Sequence, residues 1–432
     1  SQLTNNGNPT PWISYPDNVK DFLNTGINIS NNVSITSGGF RLSVGNSEQR
    51  GMVPFTELKK FTVGVSGTLK LGERVTASVS LNYFNQDSDN IPISGYNNEN
   101  PFQQFIWSAR QVNFTDLRNW REFPLAPDNT AAAGTPLNWN HNFQNNPYWV
   151  LETNRNTFEK DRLIGNVDIT SKLTDDLTLS TKLGIDSFNQ FTTNRQAVGS
   201  NTAQQGSYGQ DSRRFEEVNA SFLLNYNKNF TEDFNFSLSL SGNHMNRTYD
   251  RISGYLPQLE LPNLYNLSNL QTGSTADVSN YHSDQQINSL FGFGSLSYKD
   301  MFFVEFSGRN DWASILPVAN NSFFYPALSG SVILSEAFPV LKENNINFLK
   351  VRGGWSIVGS TGALGAYSLN QTYGLNNSGF GNQAYAPNTQ YNPNLKAETV
   401  TGVEFGIDAK MFSNRLRFSA TYYDQKSEDL LV

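Results

Sequence analysis

Aromatic and amide side chains gathered in residues 86–161 are the strongest candidates for binding a ligand. Aromatic faces pack on the C–H faces of sugar rings and amide groups hydrogen-bond to hydroxyls, although peptides suit the same set. A short helix over 102–113 would instead use part of this set for plain packing. Contact with a ligand, contact with a covering protein and packing of the stretch on itself are therefore three open interpretations. The aromatic candidates are Trp107, Trp120, Trp139, Tyr148 and Trp149.

Charged residues two positions apart form a second group of candidates. Successive side chains of a β-strand point to opposite faces, so residues i and i+2 share a face. Charges placed in this way on the polar face of a strand would bind cargo, hold another domain, or pair with one another along a solvated wall. The candidates of this kind are Arg309, Asp311, Lys350, Arg352, Glu404 and Asp408.

The sequence contains no recognisable catalytic or metal-binding arrangement. It has no cysteine, and His141, His244 and His282 are far apart without metal-ligand spacing. Glycine-rich pieces such as 353–354 lack the lysine and the following helix of a phosphate loop. We therefore expect a protein that is not an enzyme and that holds no metal ion and no cofactor.

The composition of the 432-residue chain excludes several classes of protein. Charged residues make up only 16% and aromatic residues 13%, the reverse of the pattern in disordered chains. A formal net charge of -7 argues against binding to nucleic acid, which requires clustered lysine and arginine. No apolar run reaches the length of about 18 residues that a transmembrane helix needs.

Apolar and polar residues alternate through most of the chain, which predicts β-strands. In 75–83, for example, valine, alanine, leucine and tyrosine alternate with threonine, serine and asparagine. The same period recurs in 234–241, 402–411 and 416–423. About 14 strands of this kind predict an all-β protein.

The connections between the predicted strands are of two kinds. Short polar turns follow one end of the strands, whereas long segments join the other ends. A transmembrane β-barrel has this asymmetry, with apolar side chains facing lipid and polar side chains facing a wet interior. We therefore predict a transmembrane antiparallel β-barrel with long extracellular loops. The expected loops are 86–161, 191–214, 248–284 and 359–397.

Several motifs occur in an order that matches a known family. They are Trp12–Asn18, Gly308–Ser314 followed by Leu316-Pro317, Leu334–Pro339, Leu349–Trp355 and Asn392–Glu398. In this combination the sequence resembles the SusC/RagA family of TonB-linked outer-membrane transporters. The resemblance extends over nearly the whole chain.

The resemblance implies a plugged barrel of about 22 strands in the outer membrane of a Gram-negative bacterium. It also implies a SusD-like surface lipoprotein as a lid, TonB as the source of energy through the plug, and glycan or peptide cargo. No plug and no TonB box are recognisable in residues 1–432. We therefore expect this chain to be a partial barrel, about 14 of about 22 strands, from the middle of a longer polypeptide. A natural relative without a plug is the alternative.

Three functions fit these observations. The first is TonB-dependent import of oligomeric nutrients together with a SusD-like lipoprotein. In the second, a SusC-like barrel serves as a structural subunit of a larger outer-membrane assembly without transport. The third is a soluble all-β protein that binds or cleaves glycans, which would bury its apolar faces in a dry core. The first two functions both imply contact with outer-membrane lipid and no binding of nucleic acid.

Overall fold

The computed structural model describes residues 11–120, 136–140, 142–362, 364–378, 381–388 and 391–431, so that His141 lies outside the described residues. Within them, 14 strands form one sheet, and a separate hairpin is inserted between two of its strands. The strands are β1 (Ile27–Ser37), β2 (Phe40–Arg50), β3 (Glu57–Leu71), β4 (Val75–Asn90), β5 (Asn156–Lys172), β6 (Leu177–Gln196), β7 (Ser207–Thr231), β8 (Phe234–Leu256), β9 (Asp277–Tyr298), β10 (Phe302–Ala313), β11 (Ser322–Ile333), β12 (Ile346–Ser360), β13 (Gly374–Ser378), β14 (Gly381–Tyr385), β15 (Glu398–Met411) and β16 (Leu416–Glu428).

Each strand of the large sheet pairs with the strand that precedes or follows it along the chain. The order is β1 through β12, then β15 and β16, while β13 and β14 pair only with each other. All these pairs are antiparallel. The predicted fold class, an antiparallel β-barrel portion of about 14 strands, is confirmed. No helix in the described part of the chain is long and apolar enough to cross a membrane.

Side chains alternate between the two faces of the sheet as the sequence predicts. Across β5, β6 and β7 the residues Val167, Leu183 and Ala220 share one face, and their neighbours Asp168 and Lys182 share the other. The apolar face is uncovered, with Leu183 55% exposed. Such a face is stable in lipid and unfavourable in water, so we assign it to the outside of the barrel.

Several strands are longer than a membrane requires. β7 has 25 residues and β8 has 23, whereas about 9–11 residues cross the hydrocarbon layer. The expected loops 191–214 and 248–284 were therefore set too wide, because β6 to β9 run far into them. For the same reason the connection between β4 and β5 is 91–155 rather than 86–161. Beyond the membrane both faces meet water, so the apolar alternation ends before the strand does.

The described part of the connection between β4 and β5, residues 91–120, 136–140 and 142–155, is folded rather than structureless. It contains α2 (Pro101–Trp107), α3 (Phe114–Leu117) and α4 (Pro147–Thr153), and it packs against α1 (Asn18–Phe22), which precedes β1. Its core is a cluster of buried apolar side chains. These are Phe22, Phe114, Leu117, Leu137, Tyr148 and Leu151. We refer to the described residues of 91–155 together with α1 as the loop domain.

The opposite ends of the strands are joined by tight turns. Between β1 and β2, Gly38 and Gly39 have φ angles of 57° and 85°, the positive values that a two-residue hairpin turn requires. The longer connection from β11 to β12 contains α5 (Leu334–Ala337) and α6 (Val340–Glu343). In barrels of this type the short turns face the periplasm and the long connections face the cell exterior.

Candidate functional site

The helices α2, α3 and α4 of the loop domain begin at asparagine side chains. The carbonyl oxygens of Asn100, Asn113 and Asn146 accept backbone N–H groups of the first turn of α2, α3 and α4. Proline follows Asn100 and Asn146, where its fixed φ favours the first helical position. These short helices would not be stable alone, so packing against the loop core must hold them.

Most of the aromatic candidates from the sequence lie inside the loop domain. Tyr148 and Trp149 are buried, and Trp120 and Trp139 pack partly buried against the same clusters. The ring of Phe22 meets the ring of Tyr148 edge to face, with centroids 5.0 Å apart. This burial favours the self-packing interpretation for Tyr148 and Trp149.

Trp107 differs from the other aromatic candidates because it faces solvent. It is 59% exposed and lies at the end of α2. Its ring meets that of Tyr96, which is 84% exposed, edge to face at 6.2 Å. Phe102 and Ile106 on α2 are exposed next to it in sequence. Trp107 and Tyr96 therefore form an uncovered aromatic pair that is accessible to a ligand or a protein partner.

A buried carboxyl group joins the loop domain to the connection between β6 and β7. Glu99 is buried, and its two oxygens accept hydrogen bonds from the side-chain amides of Asn145 and Asn154. Asn145 Oδ1 in turn accepts the backbone N–H of Asn201, and Asn154 Oδ1 accepts that of Ala197. Desolvation raises the pKa of Glu99 because no cation compensates for the burial.

A row of aromatic rings crosses the inward face of four neighbouring strands. Register pairs Phe188 of β6 with Phe215 of β7, and Phe215 with Tyr249 of β8. The rings of Phe188 and Phe215 are stacked, with centroids 5.1 Å apart, and Tyr249 contacts Tyr281 of β9 at 6.0 Å. We call Phe188, Phe215, Tyr249 and Tyr281 the aromatic row.

Ion pairs lie on both sides of the aromatic row. Arg213 and Arg251 both donate hydrogen bonds to the same carboxylate, Asp211. On the other side, Arg247 Nε lies 2.8 Å from Glu217 Oε2. Burial alone would raise the pKa of Asp211, but the hydrogen bonds from Arg213 and Arg251 outweigh it and hold the pKa below its ordinary value.

Strand β5, which pairs with β6, adds further cations next to the aromatic row. Arg162 of β5 pairs with Phe188 in register, and its Nε lies 2.8 Å from Asp186 Oδ1. The ammonium group of Lys160 lies over the ring of Phe188, 3.8 Å from its centroid. Lys160 thereby contacts an aromatic face rather than a carboxylate.

The aromatic row lies beyond the apolar band of the barrel. The outward side chains at its level are Ser187, Glu216 and Thr248, which are all polar. One step towards the short turns, Ile185 and Val218 are apolar. The row is therefore placed above the hydrocarbon layer on the side of the long connections, on an inner wall that a solute from outside can reach.

The charged candidates from the sequence lie on the same inward face, but lower. Arg309 Nε is 2.9 Å from Asp311 Oδ1, and Tyr325 donates to the same carboxylate. Arg352 bonds to Glu404, and its Nε is 3.5 Å from Asp408 Oδ2. The structure thus brings these charges together as pairs.

Lys350 completes this charged set. It is paired in register with Asp408 on β15 and with Ile333 on β11. The six charged candidates therefore share one face of the sheet, the face opposite the apolar one.

Comparison with known proteins identifies the family. Residues 107–432 match the family model described as TonB dependent receptor-like, beta-barrel. The chain belongs to this family. Its members are outer-membrane proteins of Gram-negative bacteria, so the predicted location is confirmed.

Individual TonB-dependent receptors support the resemblance to SusC/RagA. The TonB-dependent receptor SusC of Bacteroides thetaiotaomicron is 23% identical over 94% of this chain and 42% of its own length. The TonB-dependent receptor P26 of Formosa agariphila is 30% identical over 39% of this chain and 17% of its own. The resemblance to the SusC/RagA family is confirmed.

Solved structures of this receptor class share the fold. The RagAB peptide transporter superposes with a TM-score of 0.77 at 18% identity, covering 96% of this chain and 46% of that one. The chain thus spans less than half the length of each of these proteins. What they transport is a property of those proteins, and the likeness to RagAB concerns the fold.

The sequence contained a signal for the aromatic row that the loop assignment concealed. Arg213, Phe215 and Glu217 occur at alternate positions, as do Arg247, Tyr249 and Arg251. This charged–aromatic–charged pattern with period two places each aromatic residue between charges on one strand face. These residues fell in or next to expected loops. No strand was predicted there, so the pattern was not recognised as one face of a strand.

Proposed function

We propose that this receptor imports oligomeric nutrients across the outer membrane, with energy from TonB and with a SusD-like lipoprotein as its lid. The observation that carries the proposal is the aromatic row with its flanking ion pairs. It offers ring faces and hydrogen-bond donors to a solute on an inner wall outside the hydrocarbon layer. Glycans and peptides are both recognised by such a combination.

Residues 1–432 act in this proposal as the wall of a longer transporter. The connections 91–155 and 361–397 face the cell exterior in this proposal, where cargo and lid arrive. The inward charges Arg309, Asp311, Lys350, Arg352, Glu404 and Asp408 lie deeper, where they serve cargo passage or hold a plug. TonB acts through such a plug rather than on this wall.

The exposed aromatic pair is the proposed contact for the lid or the entering cargo. Trp107 and Tyr96 are accessible, whereas Tyr148, Trp149 and their partly buried neighbours Trp120 and Trp139 support the loop domain from inside. Exposed aromatic side chains of this size contribute strongly when a partner covers them.

Uptake by living cells tests the proposal. A strain lacking the full-length gene is expected to lose growth on one class of oligomeric nutrient, and complementation with the gene restores it. Dissipating the inner-membrane proton gradient should abolish uptake in the complemented strain. Uptake that continues without the gradient would favour passive diffusion, and unchanged growth of the deletion strain on every oligomer would remove the import function.

Affinity purification of the full-length receptor tests the lid contact. Combining Trp107→Ala with Tyr96→Ala is expected to lower recovery of the lipoprotein or binding of cargo. Phe143→Ala, another exposed aromatic residue of the same loop domain, is the matched control. If both properties are unchanged in the double variant, the aromatic pair has no role in partner contact.

A further inference from the structure

We propose that the cargo is an anionic oligosaccharide, which binds its sugar rings along the aromatic row and its carboxylate or sulfate groups at the cations beside it. This inference rests on the proposed import function and narrows its cargo to one chemical class. The site is the inward face of β5 to β9 above the membrane, which is distinct from the deeper charged set.

The charges around the aromatic row do not balance. Asp211 is shared by two guanidinium groups, Arg213 and Arg251, so one of them has no carboxylate of its own. Within the described residues, no carboxylate lies within ion-pair distance of Lys160. The wall therefore carries excess positive charge although the whole chain is negative at -7. An anionic group brought beside the row would compensate it.

The surroundings of Lys160 are a second, independent sign of excess positive charge beside the aromatic row. Burial, with the neighbouring charge of Arg162, lowers the pKa of Lys160, and Asp186 only partly offsets the effect. The ammonium group is partly buried against Phe188 and is not satisfied by a carboxylate. A ligand carboxylate or sulfate would favour the charged form of this side chain and gain a charge-assisted hydrogen bond.

The shape of the wall favours a glycan over a peptide. Peptides are often bound by adding a strand to a free sheet edge. At the level of the row, β6, β7 and β8 are paired on both sides, so their backbone groups are already used. What the wall presents is side-chain chemistry, namely ring faces with guanidinium groups on either side. Flat rings suit the C–H faces of sugars, and guanidinium groups suit carboxylate and sulfate.

Binding to the purified full-length receptor in detergent tests the inference by calorimetry. The probes are an oligogalacturonate, a sulfated carrageenan oligosaccharide, a neutral malto-oligosaccharide of equal length and an oligoglutamate peptide. We expect at least one anionic glycan to bind, with affinity that falls as salt is raised, and the neutral glycan to bind at least about tenfold more weakly. Whether carboxylate or sulfate is preferred identifies the anionic group.

Variants on one strand separate the inward face from the outward face. Arg213→Gln is expected to weaken the anionic glycan about tenfold, the order of one lost charge-assisted contact. Phe215→Leu, which keeps an apolar side chain without a ring, should weaken it about fivefold. Arg214→Gln is the matched control, because Arg214 is adjacent in sequence but faces outward and pairs with Glu216. Retained heat-modifiable migration in gels shows that each variant is folded.

Specific results would overturn the inference. Equal binding of the neutral glycan, absence of binding by both anionic glycans, or equal weakening by Arg213→Gln and Arg214→Gln would each do so. Tighter binding of oligoglutamate that Phe215→Leu leaves unchanged would make the cargo an acidic peptide. Because binding to purified receptor needs no energy, its failure is separable from a failure of import. A receptor that binds the glycan in detergent but does not take it up in cells would contradict the import function instead.

Discussion

Glu99 is a carboxyl group held in a buried site by neutral amides, and it should make the loop domain sensitive to pH. Burial raises its pKa above the ordinary value of 4.5. The folded state therefore binds the proton more tightly than the unfolded state, and the free energy of unfolding falls as pH rises through the interval between the two values. We expect hydrogen-exchange protection of the Ala197 and Asn201 amides to fall as the pH is raised above the ordinary carboxyl value of 4.5, after correction for intrinsic exchange.

Two substitutions separate this effect from general pH dependence. Glu99→Gln removes the titrating group and should flatten the profile whatever its effect on absolute protection. Glu159→Gln, an exposed carboxyl on the outward face of β5, should leave the profile as in the unaltered protein. A profile that keeps its slope in Glu99→Gln would assign the pH dependence to another group.

The fate of the aromatic candidates shows what sequence reveals about single residues. Residue type correctly gathered Trp107, Tyr148 and Trp149 into one region, but it gave no way to tell buried from exposed rings. In a strand, period two supplies that information. In an irregular connection, exposure depends on contacts with distant segments, such as that of Phe22 with Tyr148, which no local pattern contains.

The short helix α1 holds the loop domain to the start of the barrel. Phe22 is fully buried, and its ring meets those of Phe105 and Tyr148 at 5.0 Å each. Phe22→Ala should therefore cost about 3–5 kcal/mol of docking free energy, the range for a large buried ring. Limited proteolysis of the full-length receptor should show faster cleavage in 91–120. Val19→Ala, on the exposed side of the same helix, should leave the rate unchanged, and equal acceleration by both would refute this account.

The alternation along β5 predicts opposite effects of one substitution at neighbouring positions. Val167 faces outward beside Val79 and Leu183, in the apolar band. Val167→Arg in the full-length receptor should lower the free energy of unfolding in lipid vesicles by about 2–4 kcal/mol. Asn166→Arg should be tolerated, because Asn166 faces inward next to Asp168. Titration with urea, followed by the gel band of the folded receptor, measures the free energy of unfolding of both variants. Equal losses would contradict the assignment of the faces.

The strands could be predicted from the sequence only in the part that we assign to the membrane, because apolar and polar residues alternate there. Leu183 and Ile185 of β6 lie on the face that we assign to lipid, where apolar side chains are favoured, and they alternate with polar neighbours in the sequence. Beyond them, Ser187 and Asn189 are polar because water lies outside, while the hydrogen bonds between strands continue. Backbone pairing does not change the hydropathy pattern, so the upper ends of the strands, with Tyr249 and Tyr281 of the aromatic row, were predicted as loops.

The distribution of charge emerges only from the assembled sheet. The chain is negative as a whole, yet Lys160, Arg162 and Arg251 are directed to the inner wall while Glu159, Asp161 and Asp250 are directed outward. The net charge of -7, which argued against nucleic acid as a partner, does not reveal the basic region of the inner wall. The register of the strands distributes the charged residues between two faces of the sheet, which therefore differ in electrostatic properties. In the proposed function, cargo meets only the inward face.

The orientation of the whole molecule in the membrane can be tested directly because the chain has no cysteine. Val318, in the connection between β10 and β11, is 90% exposed, and Asp175 is exposed in the short turn between β5 and β6. With long connections outside, Val318→Cys should react with a membrane-impermeant maleimide on intact cells. Asp175→Cys should react only after the outer membrane is opened. The reverse pattern would place the aromatic row at the periplasmic end, where cargo from outside would not meet it first.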